Sequence, residues 1–138
     1  MIPFRLIFRP GASLYEQVVY AARKAIVSGE MRPGDPFPSV RTLSRELKIN
    51  PNTAHKAILY LTNEGLLEIR SGIGAVVATL PKATAAAKAG LLSGELEALI
   101  VEAKKLGLRL EDVVDAVHTQ WRRIGPPAPE AKGSAKSE

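Results

Sequence analysis

The segment SVRTLSRELKINPNTAHKAILYLTNEG, residues 39–65, decides the fold of this chain. It begins with Ser39, a good helix N-cap, which precedes a short apolar helical face. After a turn at residues 48–50, Asn50 can cap another helix. Pro51 suits the first position of that helix, where its missing N–H costs nothing. Two helices joined by so short a turn predict a helix-turn-helix.

The residues before this segment predict one more helix. Ser13 and Glu16 have the spacing of a capping box, and Ser28-Gly29 supplies an ending. Residues 31–38 contain a Pro-Gly-Asp turn signal among several prolines and therefore predict a loop. The apolar residues expected on the buried face of the helix are Leu14, Val18, Ala21, Ala22, Ala25 and Ile26.

The residues after the segment predict a β-hairpin. Residues 66–70 and 75–78 have strand composition, and Ser71-Gly72-Ile73-Gly74 between them forms the turn. A hairpin directly after a helix-turn-helix is a wing. We therefore predict a mainly α fold with a small β-hairpin: a winged helix-turn-helix DNA-binding domain over residues 1–80.

A helical appendage is expected over residues 81–124, followed by a disordered tail over 125–138. Residues 82–90 suit a helix or a solvated linker, and a helix is expected to begin at Ser93 or Gly94. A last helix carries an apolar stripe to Trp121. Two such helices cannot bury both apolar faces, so the appendage either dimerises or packs on the first helix of its own chain. The candidate dimer-interface residues are Leu96, Leu99, Ile100, Val113, Val117 and Trp121.

Charge and composition suit a nucleic-acid partner. Residues 1–80 hold ten Lys/Arg against six Asp/Glu, a net of +4, and residues 81–138 hold nine against eight, a net of +1. A mild excess of this kind is also common for solubility alone. The chain has no cysteine, so disulfides and thiolate metal sites are excluded. Without a signal-peptide pattern or a long apolar run, a cytoplasmic protein without membrane association is expected.

The chain resembles the GntR superfamily from Leu14 to Ala78. The motifs that carry this resemblance are LYEQ, SGEMRPGD, PSVRTLSREL, NPNTAHKA, LTNEGLL and RSGIGAVV, in the family's order and spacing. The PSVR and NPNT motifs and the short helical tail resemble the YtrA-like branch. That resemblance implies a DNA-binding transcription regulator, in which two C-terminal helices dimerise without a large effector-binding domain.

Candidate DNA contacts follow from this reading. In a helix-turn-helix the second helix, here the one that begins after Asn50, is the recognition helix. Its first turn typically contacts bases in the major groove. The helix end at Ser39 attracts phosphate, and the resemblance implies that Arg41 contacts DNA. Glycine at the wing tip permits close approach of the backbone. Pro51 and His55 stand where basic residues are common in the family, which leaves the operator sequence open. The candidates are Ser39, Arg41, Asn50, Pro51, Asn52, Thr53, His55, Lys56, Arg70, Ser71 and Gly72.

Other functions have weaker support. Asp115 and His118, with Glu111 and Asp112 nearby, have a spacing that could hold a metal, although such clusters are common on solvated helices. No catalytic motif is present, so we expect neither an enzyme nor a cofactor. A winged helix that binds protein or RNA without operator specificity is the alternative. The expected partners are double-stranded DNA and a second copy, and an unidentified small-molecule effector is left open.

Overall fold

The computed structural model describes residues 2–6 and 10–126. The described chain divides into two compact units, one within Met1–Pro81 and one over Lys82–Gly125. The first contains α1 (Leu14–Val27), α2 (Val40–Leu47), α3 (Pro51–Asn63), β1 (Leu67–Arg70) and β2 (Gly74–Val77). The second contains α4 (Ala85–Gly90), a π-helical segment (Leu91–Glu95), α5 (Leu96–Lys105) and α6 (Leu110–Ile124).

Helix α1 begins and ends where the sequence predicts. The Ser13 hydroxyl accepts from the Glu16 amide at 3.1 Å, and the Glu16 carboxylate accepts from the Ser13 amide at 3.1 Å, which completes the capping box. Gly29 follows the helix with φ +84°, a conformation that glycine adopts without strain. The expectation for Leu14 is wrong: it occupies the first helical position, one turn before the fully buried Val18, and is 40% exposed.

The helix-turn-helix is present as predicted. Ser39 caps α2, Asn50 caps α3, and Pro51 occupies the first position of α3. Lys48, at the end of α2, takes a left-handed conformation with φ 56° and so turns the chain toward α3. Alanines let α1 and α3 approach closely, because Ala22, Ala25, Ala54 and Ala57 all lie in the core. The other core side chains of the helices include Val18, Ile26, Leu43 and Leu61.

The hairpin is also confirmed, with β1 antiparallel to β2 and Leu67 opposite Val77. The proline-rich loop does more than connect two helices, since it bonds to the free edge of β2. The Phe37 amide donates to the Ala75 carbonyl at 2.9 Å, and the Val77 amide donates to the Asp35 carbonyl at 2.8 Å. The wing is therefore held on both sides, by β1 and by the loop before α2.

In the second unit one helical stretch runs without a break from α4 through the π-helical segment into α5. The expected start at Ser93 or Gly94 is wrong. Thr84 provides the cap instead, and its hydroxyl accepts from the Ala87 amide at 3.0 Å. The Ser93 hydroxyl donates back to the Ala89 carbonyl at 2.8 Å, as serine does inside a helix. The alternatives for residues 82–90 thus resolve to a helix from Ala85.

The last helix, α6, carries the predicted apolar stripe and ends at Ile124. No helix in the described ranges is long and apolar enough to cross a membrane. From residue 127 onward, the tail that the sequence predicts to be disordered lies outside the described residues.

Candidate nucleic-acid interface

The first turn of α3 presents polar side chains on the face opposite its buried residues. Ala54, Ala57 and Leu61 are buried, whereas Asn52 and His55 are exposed. The side chain of Asn50 is already engaged, because its oxygen accepts from the Asn52 amide at 2.7 Å. Asn52 and His55 are therefore the side chains of this turn whose polar groups point away from the core. Pro51 is exposed and Thr53 half-buried beside them.

Lys56 is held by an aromatic ring that the sequence did not single out. Its ammonium lies 5.6 Å from the centroid of the Tyr15 ring, within the range of a cation–π contact. The Tyr15 ring meets Tyr60 edge to face at 6.3 Å, and the Tyr60 hydroxyl lies 3.5 Å from an Arg23 nitrogen. This cluster joins α1 to α3. No short-range pattern predicts the contact between Lys56 and Tyr15, since 41 positions separate them.

The N-terminal end of α2 is formed by Ser39 and the first turn behind it. The Ser39 hydroxyl accepts from the Thr42 amide at 3.1 Å and so serves as a cap. Arg41 is exposed in this turn. Its guanidinium makes no ion pair with a carboxylate of the described residues. A guanidinium beside a helix N-terminus suits a phosphate.

The wing tip consists of Arg70, Ser71 and Gly72, all exposed. Gly72 has φ +80°, and a Cβ added there would meet nothing within 4 Å, so the tip is open on its outer side. The Ile73 amide donates to the Arg70 carbonyl at 3.0 Å and closes the turn. Arg70 is paired with Glu68, which is not among the candidates chosen from the sequence. The Arg70 Nε donates to the Glu68 carboxylate at 2.8 Å.

The second unit has a largely exposed apolar surface. Ala103 is its one buried residue within the described part of the chain. Leu99 is 51% exposed and Trp121 80% exposed, although both side chains are large and apolar. Four other candidate interface residues are half-buried or exposed: Leu96, Ile100, Val113 and Val117. Within the described ranges, no three His, Asp or Glu side chains gather as a metal-binding group.

Comparison with protein families identifies the region from α1 to the wing. The model of the bacterial regulatory proteins of the gntR family matches residues 14–77. The HTH-type transcriptional repressor YtrA of Bacillus subtilis (strain 168) is 35% identical over 104 residues, which cover 75% of this chain and 80% of YtrA. The HTH-type transcriptional regulator YhcF of the same organism is 30% identical over 112 residues, covering 81% of this chain and 93% of YhcF.

Comparison with solved structures supports the fold over nearly the whole chain. A transcriptional antiterminator from Listeria monocytogenes EGD-e superposes with a TM-score of 0.75 at 24% identity, covering 93% of this chain and 97% of that one. At this identity the likeness concerns the fold. The match extends beyond the winged helix into the second unit, which the family model at residues 14–77 does not include.

Proposed function

The chain belongs to the GntR family of bacterial regulatory proteins, in its YtrA-like branch, and on that premise we propose that it represses transcription as a homodimer bound to a palindromic operator. The family and the relatives are transcription regulators that act by binding DNA, not enzymes. YtrA itself is named as a repressor, which supports the same sign of regulation here. Because bacterial DNA lies in the cytoplasm, this proposal includes a cytoplasmic localisation.

The exposed first turn of α3 is the observation that carries this proposal. A recognition helix needs one buried face and, at its N-terminal end, polar side chains free to meet base edges. Asn52 and His55 meet this requirement, because they are exposed while Ala54 and Ala57 are buried. Asn52 can bond an adenine edge through two hydrogen bonds, and His55 can bond a base or a phosphate. We assign base reading to these two residues.

Positioning on the duplex is assigned to the residues around this turn. Phosphate oxygens can be bound by the N-terminal end of α2, which carries Ser39 and Arg41. Thr53, next to Asn52 in α3, can bind a phosphate as well. Lys56 projects its charge over Tyr15 at the junction of α1 and α3 and can neutralise a further phosphate. Asn50 and Pro51 fix the start of the recognition helix. Ser71 and Gly72 let the wing backbone approach the adjacent groove.

The exposed apolar surface of the second unit supports dimerisation. Each large side chain that a second copy fully covers would contribute about 1.5–3 kcal/mol before the costs of association. Among the candidate interface residues, Leu99 and Trp121, at 51% and 80% exposure, are the most exposed. We therefore propose that residues 1–80 bind DNA and residues 81–124 dimerise. Two winged helices on a two-fold axis would then bind inverted half-sites.

Selection of bound fragments from a random DNA library tests the function directly. We expect the full-length protein to enrich two inverted half-sites, whose centres lie about 10 base pairs or a multiple apart. Affinity for the enriched site should fall steeply with salt, with a log–log slope of about −0.9 per phosphate neutralised. Enrichment of one unrepeated site would contradict the homodimer. Equal binding to every duplex would contradict operator recognition.

Repression requires a separate test in cells. We expect a reporter gene downstream of the enriched site to lose expression when this protein is produced. A variant with Asn52→Ala provides the matched control, since it keeps the fold and the phosphate contacts but lacks a base-reading side chain. Activation of the reporter by the unchanged protein would contradict the sign of regulation while leaving operator binding intact.

A further inference from the structure

An ion pair lies at the wing, beside the residues that the proposed function places against DNA. Glu68 and Arg70 are two positions apart on β1, so their side chains project from the same face of the strand. The Arg70 Nε donates to the Glu68 Oε2 at 2.8 Å, and the Arg70 Nη2 lies 2.8 Å from the same oxygen. The Nε contact is a charge-assisted hydrogen bond, and the Nη2 contact completes a close ion pair.

This pairing sets Arg70 apart from the other cations of the proposed interface. Arg41 and Lys56 make no ion pair with a carboxylate of the described residues, whereas the Arg70 guanidinium contacts the Glu68 carboxylate through both Nε and Nη2. The ion pairs Lys105–Glu102 and Arg109–Asp112 belong to the helical unit and are longer, at 3.4 and 3.6 Å. A carboxylate thus restrains a cation at the part of the wing where phosphates are expected.

Backbone hydrogen bonds hold the main chain at the wing tip, so the contact of Arg70 with DNA depends on the position of its side chain. The Arg70 carbonyl accepts from the Ile73 amide, and Arg70 pairs with Gly74 in the ladder. The side chains of Arg70 and Glu68 are 50% and 47% exposed, so water and salt reach both. An exposed pair of this kind is weak enough to exchange partners, yet strong enough to change affinity by a small factor.

We propose that Glu68 is a positioning residue of the DNA-binding surface, whose carboxylate competes with DNA phosphate for Arg70 and so limits the affinity that the wing adds. This inference rests on the proposed DNA-binding function, since it concerns how tightly that same surface binds DNA. Without the carboxylate, the guanidinium is free to bind a phosphate through two hydrogen bonds. Glu68 also carries a negative charge toward the duplex, which opposes binding on its own.

A double-mutant cycle separates these two effects. Affinity for an operator duplex and for a duplex of unrelated sequence would be measured at low salt for the full-length protein, Glu68→Gln, Arg70→Ala and the double variant. We expect Glu68→Gln to tighten binding about two- to five-fold per wing on both duplexes, with a steeper salt dependence. In the Arg70→Ala background the same change should have less than half of this effect on a logarithmic scale.

Glu64→Gln is the matched control, because Glu64 is an exposed acid of the same unit that makes no ion pair with Arg70. An equal gain from Glu68→Gln in the presence and absence of Arg70 would overturn the proposal, because plain charge removal would then explain it. A gain no larger than that of Glu64→Gln would overturn it as well. If the unchanged protein binds neither duplex, the proposed function itself fails. Binding without coupling between Glu68 and Arg70 refutes only this inference.

Discussion

The winged helix and the helical appendage contrast in where their apolar side chains lie. In the first unit, Leu43 and Leu61 are fully buried, and Val18 and Val77 join them in one core. The second unit is no less apolar in sequence, yet its one buried residue in the described ranges is Ala103. One unit therefore satisfies its own hydrophobic pattern. The other leaves it exposed, as is expected of a segment that is completed by a partner.

Truncation after Leu80 should have the largest effect of the changes considered, because it removes the whole helical appendage. We expect residues 1–80 to remain folded as a monomer, since their core is internal. Operator affinity should fall by about 10²–10⁴-fold, because the second half-site no longer binds as an intramolecular event. Sedimentation and circular dichroism of both lengths, with binding titrations, provide the measurement. A monomeric full-length protein at micromolar concentration contradicts the dimer, and a dimeric truncated form places the interface in the winged helix.

A matched pair of Leu→Ala substitutions, one in each unit, tests at single residues where the apolar side chains are buried. Leu61→Ala removes a fully buried side chain and should lower the free energy of unfolding of the winged helix by about 2–5 kcal/mol. Leu99→Ala removes the same atoms from a side chain that is 51% exposed. It should leave unfolding of the winged helix unchanged and weaken association instead. Chemical denaturation over a range of protein concentrations distinguishes the two, since only the dimer's stability depends on concentration. A large, concentration-independent loss from Leu99→Ala would show that the appendage has a core of its own.

The sequence alone predicted the features that depend on nearby residues, but not those that depend on packing. Caps and turns depend on neighbours three or four residues away, so the starts of α1, α2 and α3 could be predicted from Ser13, Ser39 and Asn50. The start of α4 could not, because residues 82–90 suited a helix or a linker equally well and a start was expected at Ser93 or Gly94, whereas the continuous helix begins at Ala85. Contacts across the fold were also missed. Lys56 meets Tyr15 only after α1 and α3 have packed together.

For the interface, the sequence indicated which residues stand on the exposed face but not what already holds them. The pairing of Arg70 with Glu68 could have been inferred, since alternate strand residues share a face. The backbone pairing of a loop with a strand edge could not have been inferred from the sequence. The loop at Pro36 bridges to Val76 in β2, although its prolines indicated only a turn.

Two substitutions in the winged helix should separate positioning from base reading while leaving oligomerisation untouched. Arg41→Ala should weaken binding to all duplexes alike, because phosphates do not depend on sequence. Asn52→Ala should cost about 1–3 kcal/mol on the preferred operator and relax preference at one base pair per half-site. Titrations against a set of single-base operator variants measure both effects, with sedimentation as the control. Undiminished binding by Arg41→Ala would contradict the docking of α2, and a shift toward monomer by either variant would contradict the division of labour between the units.

The smallest effect is expected from a matched pair of helix caps, one in each unit. The Ser13 hydroxyl accepts from the Glu16 amide at 3.1 Å, and the Thr84 hydroxyl accepts from the Ala87 amide at 3.0 Å. Ser13→Ala should lower the free energy of unfolding by about 1 kcal/mol, because α1 cannot fray without uncovering the core. Thr84→Ala loses an equivalent bond, but α4 buries no side chain, so its first turn can fray locally at little cost to the rest. Hydrogen exchange of the Glu16 and Ala87 amides, measured alongside denaturation, tests the difference. Equal global losses from the two variants would mean that α4 unfolds together with the winged helix, and the two units would then be one cooperative structure.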